Sequence, residues 1–219
     1  MNFFGHAAIA CWRSRAPAFV LGAMLPDFAA MIRARPPASL HDEISDGIGF
    51  HHRTDDAFHH APSFLLLSRA AHTELAGRGL GRGSARAVAH VGVEILIDAE
   101  LARDDVAREA YLAALGVAGE AALGAQVTWR DIAERTRFSH LRAALIGRGV
   151  AADDASPELV ALRVQRALQG RPRLALRAGD ETRVRDWARA ARALVDARMT
   201  DLLAELEGAL GATKERVGC

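Results

Sequence analysis

Between Gly47 and His60 the chain reads Gly-Ile-Gly-Phe-His-His-Arg-Thr-Asp-Asp-Ala-Phe-His-His. In a helix, residues four apart share a face. His51, Asp55 and His59 then form one column, and His52, Asp56 and His60 form the next. Two adjacent stripes of imidazole and carboxylate are costly to bury without something cationic between them. A metal ion supplies that cation, so the segment points to a fold in which a helix presents ligands to an ion.

The surrounding sequence favours an all-α protein. It is rich in Ala, Leu and Arg and poor in strand formers such as Tyr, Thr and Ile. Its 219 residues, half of them apolar, fit a single helical domain over 1–219, with a metal-site core in 1–110 and additional helices, including an Arg-rich C-terminal helix, in 111–219. A net charge of +1 implies no global polyelectrolyte partner, and no motif for nucleic acid binding is present. Lys214 is the only lysine among 28 cations, which reads as compositional bias. Cys11 and Cys219 stand at opposite ends and form neither a zinc-ligand pair nor a disulfide framework. A reducing cytoplasm is the expected compartment. Trp12-Arg13-Ser14-Arg15 interrupts the first apolar run, so no signal peptide is expected. No run reaches the ~18 apolar residues of a membrane span.

Local signals predict the elements. A short helix is expected over Asn2–Arg13, and Pro17 fits the first turn of a second. Pro26 is expected to kink or end that helix just before Asp27, and Pro36-Pro37 to mark a loop. Asp42 is a plausible N-cap for the histidine helix. Pro62 resets the chain ahead of a helix over Ser63–Leu75. Gly77 to Gly83 reads as a flexible connection, and Ser84 as the cap of a helix carrying His90, Glu94 and Asp98. A helical region follows from Asp105 to about Gly124, and an amphipathic helix from Thr128 to Ile146. Asp153-Asp154-Ala155-Ser156-Pro157 has the form of a cap with proline near the first helical position. A long helix is predicted over Asp180–Leu210.

Eight of the nine histidines lie between His6 and His90, interspersed with Asp27, Asp55, Glu94 and Asp98. His51-x-x-x-Asp55 and His90-x-x-x-Glu94 can each project from one helix face toward a shared ion, and Asp98 lies one turn further along the second stripe. Facing helices that present His and carboxylate inward are a standard way to build a metal site in a bundle. Asp27 and His6 are flanked by apolar residues, where a carboxylate is expensive unless it is paired or ligating. The candidate ligands are therefore His6, Asp27, His51, Asp55, His90, Glu94 and Asp98. This mixed nitrogen and oxygen set suits manganese, iron or zinc better than calcium. Plainer readings exist for each. A His-x-x-x-acid pair can be a surface ion pair, Asp27 can cap a helix, and His6 can be a satisfied core histidine. His59 and His60, near a helix end, can complement the dipole or serve as outer-shell groups. His41 and His72 are expected to be solvated.

Four segments resemble the acyl-carrier-protein phosphodiesterase family. They are Met1-Asn2-Phe3-Phe4-Gly5-His6, Leu21-Gly22-Ala23-Met24-Leu25-Pro26-Asp27-Phe28, Gly47-Ile48-x-x-His51-x-Arg53-x-Asp55, and Gly170-Arg171-Pro172-Arg173-Leu174. Their order runs from residue 1 to about 176. The chain departs from the family pattern at three places. His52 replaces an Arg, Phe58-His59 stands for Thr-Asp, and Glu94-Ile95-Leu96-Ile97 stands for Asp-His-Phe-Leu, with His90 one turn earlier. The aromatic-rich C-terminus usual in the family is an Arg and Ala helix here. The Leu-Gly-Ala-x-x-Pro-Asp segment is also similar to zinc-dependent phospholipase C-like proteins.

The resemblance implies an HD-like helical bundle with a metal site between helices, and a hydrolase. Its bond is the phosphodiester joining 4′-phosphopantetheine to a serine of acyl carrier protein, and manganese is its usual ion. Asp55 is the expected catalytic carboxylate, and Arg53 can clamp a phosphate oxygen or be a solvated helix arginine. Residues 163–192 hold nine arginines and three acids, a local excess of +6. This patch can steer an acidic protein or be a solvated face. The alternatives are a hydrolase of another small phosphoester on the same scaffold, a noncatalytic helical binding module, and a metal sensor or storage protein.

Overall fold

The computed structural model describes every residue except 36, 120–125, 151–154 and 212–219. Among the described residues the chain forms nine helices and one two-stranded ribbon. The helices are α1 (Phe3–Ala10), α2 (Pro17–Met31), α3 (Asp42–His60), α4 (Pro62–Gly77), α5 (Arg82–Leu101), α6 (Asp105–Val117), α7 (Ile132–Arg148), α8 (Pro157–Leu168) and α9 (Asp180–Leu210). The fold is all-α. Strands β1 (Ala38–Ser39) and β2 (Val127–Thr128) pair antiparallel, Ala38 opposite Thr128 and Ser39 opposite Val127. No helix among the described residues is long and apolar enough to cross a membrane.

Local chemistry sets most of the helix starts. Pro17, Pro62 and Pro157 stand in the first turns of α2, α4 and α8, where a missing N–H costs nothing. Ser156 caps α8 by accepting from the Leu159 N–H. Three expectations are corrected. Pro26 lies inside α2, which runs on to Met31. Leu25, Phe28 and Ala29 on either side of it are fully buried, and their packing holds the helix together across one absent backbone bond. Ser84 sits within the first turn of α5, whose cap position is Gly81. Thr128 is in β2, and α7 starts only after Asp131, whose carboxylate accepts from the Glu134 N–H. Glu134 in turn accepts from the Arg130 N–H at 3.0 Å, close to a reciprocal capping box. Gly124, Asp153 and Asp154, together with Pro36, lie outside the described residues. His41 and His72 are half-buried, not solvated.

The chain packs as two compact units, each assembled from separated segments. The first comprises 1–57, 104–151 and 207–219. Here α1, α2 and α6 pack on one another and α7 packs on α2 and α6. Phe3, Phe4, Phe28, Tyr111 and Phe138 form a chain of ring contacts with centroids 5.5–6.1 Å apart. Where α2 meets α3, two glycines face each other. A Cβ on Gly22 would lie 2.9 Å from the Gly47 Cα, and one on Gly47 would lie 2.2 Å from the Phe19 carbonyl oxygen. The absence of both side chains lets these backbones touch.

The second unit comprises 58–103 and 152–206. Helix α5 packs against α4 and α8. Trp187 of α9 is fully buried and fills the space over Gly92, where a Cβ would stand 2.6 Å from the indole ring. The Glu205 carboxylate accepts from the Ser63 N–H at 3.0 Å and from its hydroxyl at 2.8 Å, so a side chain of α9 caps the first turn of α4.

Candidate metal centres

Among the described residues, two groups of side chains could hold a metal ion, and they share no residue. His6, Asp27 and His51 lie within the first unit, and His59, His90 and Glu94 within the second. In each group the ligand atoms all lie within 4.8 Å of one another.

In the first, His6 comes from α1, Asp27 from the stretch of α2 beyond Pro26, and His51 from α3 one turn past Gly47. Proton bookkeeping fixes both imidazoles. The Thr54 hydroxyl, which has one hydrogen, is directed at the His51 and Phe50 carbonyls at 2.8 and 3.1 Å. It therefore accepts from His6 Nδ1–H, 2.9 Å away. His51 Nδ1 stands 2.9 Å from the Ala23 carbonyl oxygen, which can only accept, so this nitrogen also carries its proton. A neutral imidazole held in this way presents its Nε2 lone pair. Hydrogen bonds of this kind at Nδ1 fix the ring orientation of a metal-binding histidine. The two rings stack with centroids 3.9 Å apart, a distance at which two imidazolium cations would repel. Burial, reinforced by the neighbouring His6, pushes the His51 pKa down to about 3, so His51 is a neutral donor at physiological pH.

His6 Nε2 lies 3.9 Å from Asp27 Oδ2 and 3.7 Å from Asp55 Oδ1. The imidazoles are buried, whereas the Asp27 and Asp55 side chains are 28% and 42% exposed. The group therefore has a protein-facing nitrogen side and a solvent-facing carboxylate side. Asp55 borders it without joining the three ligand atoms that lie within 4.8 Å of one another. Arg53 is exposed, its guanidinium 5.5 Å above the Phe50 ring.

The second group joins the last turn of α3 to α5. His59 Nε2 is 3.3 Å from His90 Nε2 and 3.4 Å from Glu94 Oε1, and His90 Nε2 is 3.2 Å from that same oxygen. Burial alone would raise the pKa of Glu94, but hydrogen bonds from His59 and His90 hold it well below the usual carboxylate range. It is an anion facing two imidazoles. Asp98, one turn further along α5, is buried and stands outside the group.

The ligands expected around one ion are thus divided. His51 meets His6 and Asp27, while His90 and Glu94 meet His59, which the sequence alone leaves near a helix end. Its membership of the His51–Asp55 column was the available signal. The second column, His52, Asp56 and His60, is exposed, so only one stripe of α3 is turned toward protein. No protein-family model, curated protein or solved structure matches the chain.

Proposed function

We propose that the protein is a divalent-metal-dependent phosphodiesterase whose centre is His6, Asp27 and His51, built on an HD-like helical arrangement. One observation carries the reading. The three ligands come one each from the first three segments that resemble the acyl-carrier-protein phosphodiesterases, and their ligand atoms lie within 4.8 Å of one another. The donor set of two nitrogens and a carboxylate fits manganese, iron or zinc. A divalent ion held there supplies Lewis acidity toward a phosphoryl oxygen.

The chain's own residues supply the rest. Thr54 and the Ala23 carbonyl fix the two rings, so little reorganisation accompanies binding. Asp55, whose partly exposed side chain stands beside His6, would take a proton from an attacking water. Arg53, on the exposed face of the same helix, offers a guanidinium to a phosphate oxygen. The proposed substrate is the phosphopantetheinyl serine of an acyl carrier protein. The arginine-rich stretch 163–192 suits such an acidic partner, although Asp180 and Asp186 already engage Arg183 and Arg189.

The test uses untagged full-length protein. Bound metals are measured by elemental mass spectrometry, and holo-acyl carrier protein is followed by intact mass during manganese-supplemented turnover. Stoichiometric metal and loss of the phosphopantetheine mass are expected, and His51→Ala and Asp27→Ala should each lose one metal equivalent together with the turnover. Retention of full metal and activity in these variants would refute the centre. Metal without loss of that mass would redirect the substrate to another phosphoester.

A further inference from the structure

The His59–His90–Glu94 triangle has more information in it than proximity. Its edges measure 3.2, 3.3 and 3.4 Å, so the three donor atoms are almost equidistant. Bonds of ~2.0–2.1 Å from zinc to imidazole nitrogen or carboxylate oxygen give ligand-to-ligand edges of ~3.3–3.4 Å in a tetrahedron. An octahedral ion of magnesium size would bring neighbouring ligands to ~2.9 Å, and calcium favours an all-oxygen shell.

Hydrogen bonds from both imidazoles to Glu94 bring two N–H groups to one carboxylate oxygen, with their nitrogens 3.3 Å apart. A cation at the centre satisfies all three donors at once.

The surroundings favour a built site. His90 and Glu94 are one turn apart on α5, so the helix fixes their spacing. The Phe64 ring meets both imidazoles edge-on, at 5.4 Å and near-perpendicular angles, and also packs against Phe58 at 4.2 Å. These contacts restrict ring rotation and form an apolar wall. The site also reaches solvent, since the His90 side chain is 46% exposed and that of His59 is 30% exposed.

We propose that His59, His90 and Glu94 form a separate site for one zinc-class transition-metal ion, with three protein ligands and a fourth position open to water or an exogenous ligand. It depends on neither the His6–Asp27–His51 centre nor the phosphodiesterase activity.

Full-length protein is stripped with chelator and titrated with cobalt(II), which gives a strong visible band when four-coordinate and a weak one when six-coordinate. A four-coordinate band is expected. The band should persist in His51→Ala, and adding His90→Ala or Glu94→Gln to that variant should abolish it and lower the zinc stoichiometry by one further equivalent. In the His51→Ala background, a band or a zinc equivalent that survives His90→Ala, or a purely six-coordinate spectrum, would overturn the proposal. His90 is exposed enough for its substitution to leave the fold intact, which far-ultraviolet circular dichroism checks. In the unmutated protein, zinc titration followed by imidazole nitrogen NMR should move the Nε2 resonances of His59 and His90 together. Unmoved resonances would equally refute the site.

Discussion

Replacing Gly47 by alanine tests whether the contact between α2 and α3 positions the first centre. The new Cβ would stand 2.2 Å from the Phe19 carbonyl oxygen and 2.9 Å from the Gly22 Cα. Contacts between an aliphatic carbon and a carbonyl oxygen settle at ~3.3–3.6 Å, so α3 must retreat by about 1.1–1.4 Å. Both clashing atoms are backbone, and no side chain can swing aside. His51 lies one turn further along α3, and the same retreat stretches its 2.9 Å bond to the Ala23 carbonyl to about 4 Å, which breaks it. Overpacking of this kind costs ~1–3 kcal/mol and the hydrogen bond ~1 kcal/mol. The better helix propensity of alanine returns ~1 kcal/mol. The expected net destabilisation is ~1–3 kcal/mol, read as a lower urea midpoint and as faster amide exchange in residues 42–57 of α3. Gly116→Ala in α6 is the control. Nothing lies within 4 Å of its added Cβ, so that variant should be neutral or stabilised by up to ~1 kcal/mol. A Gly47→Ala protein as stable as the parent, with unchanged exchange in α3, would refute this account.

Thr54→Val keeps the shape but removes the acceptor of His6 Nδ1–H, so metal affinity at the first centre should fall ~10–100-fold, measured by competition with a chromophoric chelator. Trp187→Ala empties the space over Gly92 and should cost ~3–5 kcal/mol in denaturant unfolding, with the loss concentrated in amide exchange of α5 and α9. Burial pushes the Cys11 thiol from 9.0 up to about 11. Alkylation at Cys11, followed by peptide mapping, should therefore be slow at pH 8 and accelerate only toward pH 11. The raised value also means that the stability gained by keeping this thiol neutral is full below pH 9 and lost as pH rises through about 11.

Much of the helical layout was legible because its signals are local. Proline in a first turn, Ser156 ahead of Pro157, and the run from Asp180 to Leu210 each depend on a few neighbouring residues, and each appears where expected. The errors share a different cause. Pro26 is a strong local stop signal, yet Leu25, Phe28 and Ala29 are all fully buried, and that burial outweighs one lost bond. Thr128 is compatible with a helix, but its partner Ala38 lies ninety positions away. Neither long-range fact leaves a mark in the nearby sequence. The two compact units are discontinuous for the same reason, since each gathers segments that only tertiary packing selects.

The centres show which part of a site a helical column can reveal. A column states which residues share a face and leaves open what that face meets. Helix members two turns apart are separated by ~12 Å of rise, whereas a bound ion reaches its ligands over ~2 Å. One column spanning eight residues therefore cannot serve one ion, and its ends must find other partners. His51 finds His6 and Asp27, and His59 finds His90 and Glu94. Gly22 and Gly47 supply what the column lacks. They bear on no metal, and their missing side chains let α2 and α3 approach closely enough for the Ala23 carbonyl to hold His51. The chemistry-bearing residues identify the kind of site, and the small residues beside them decide which helices build it.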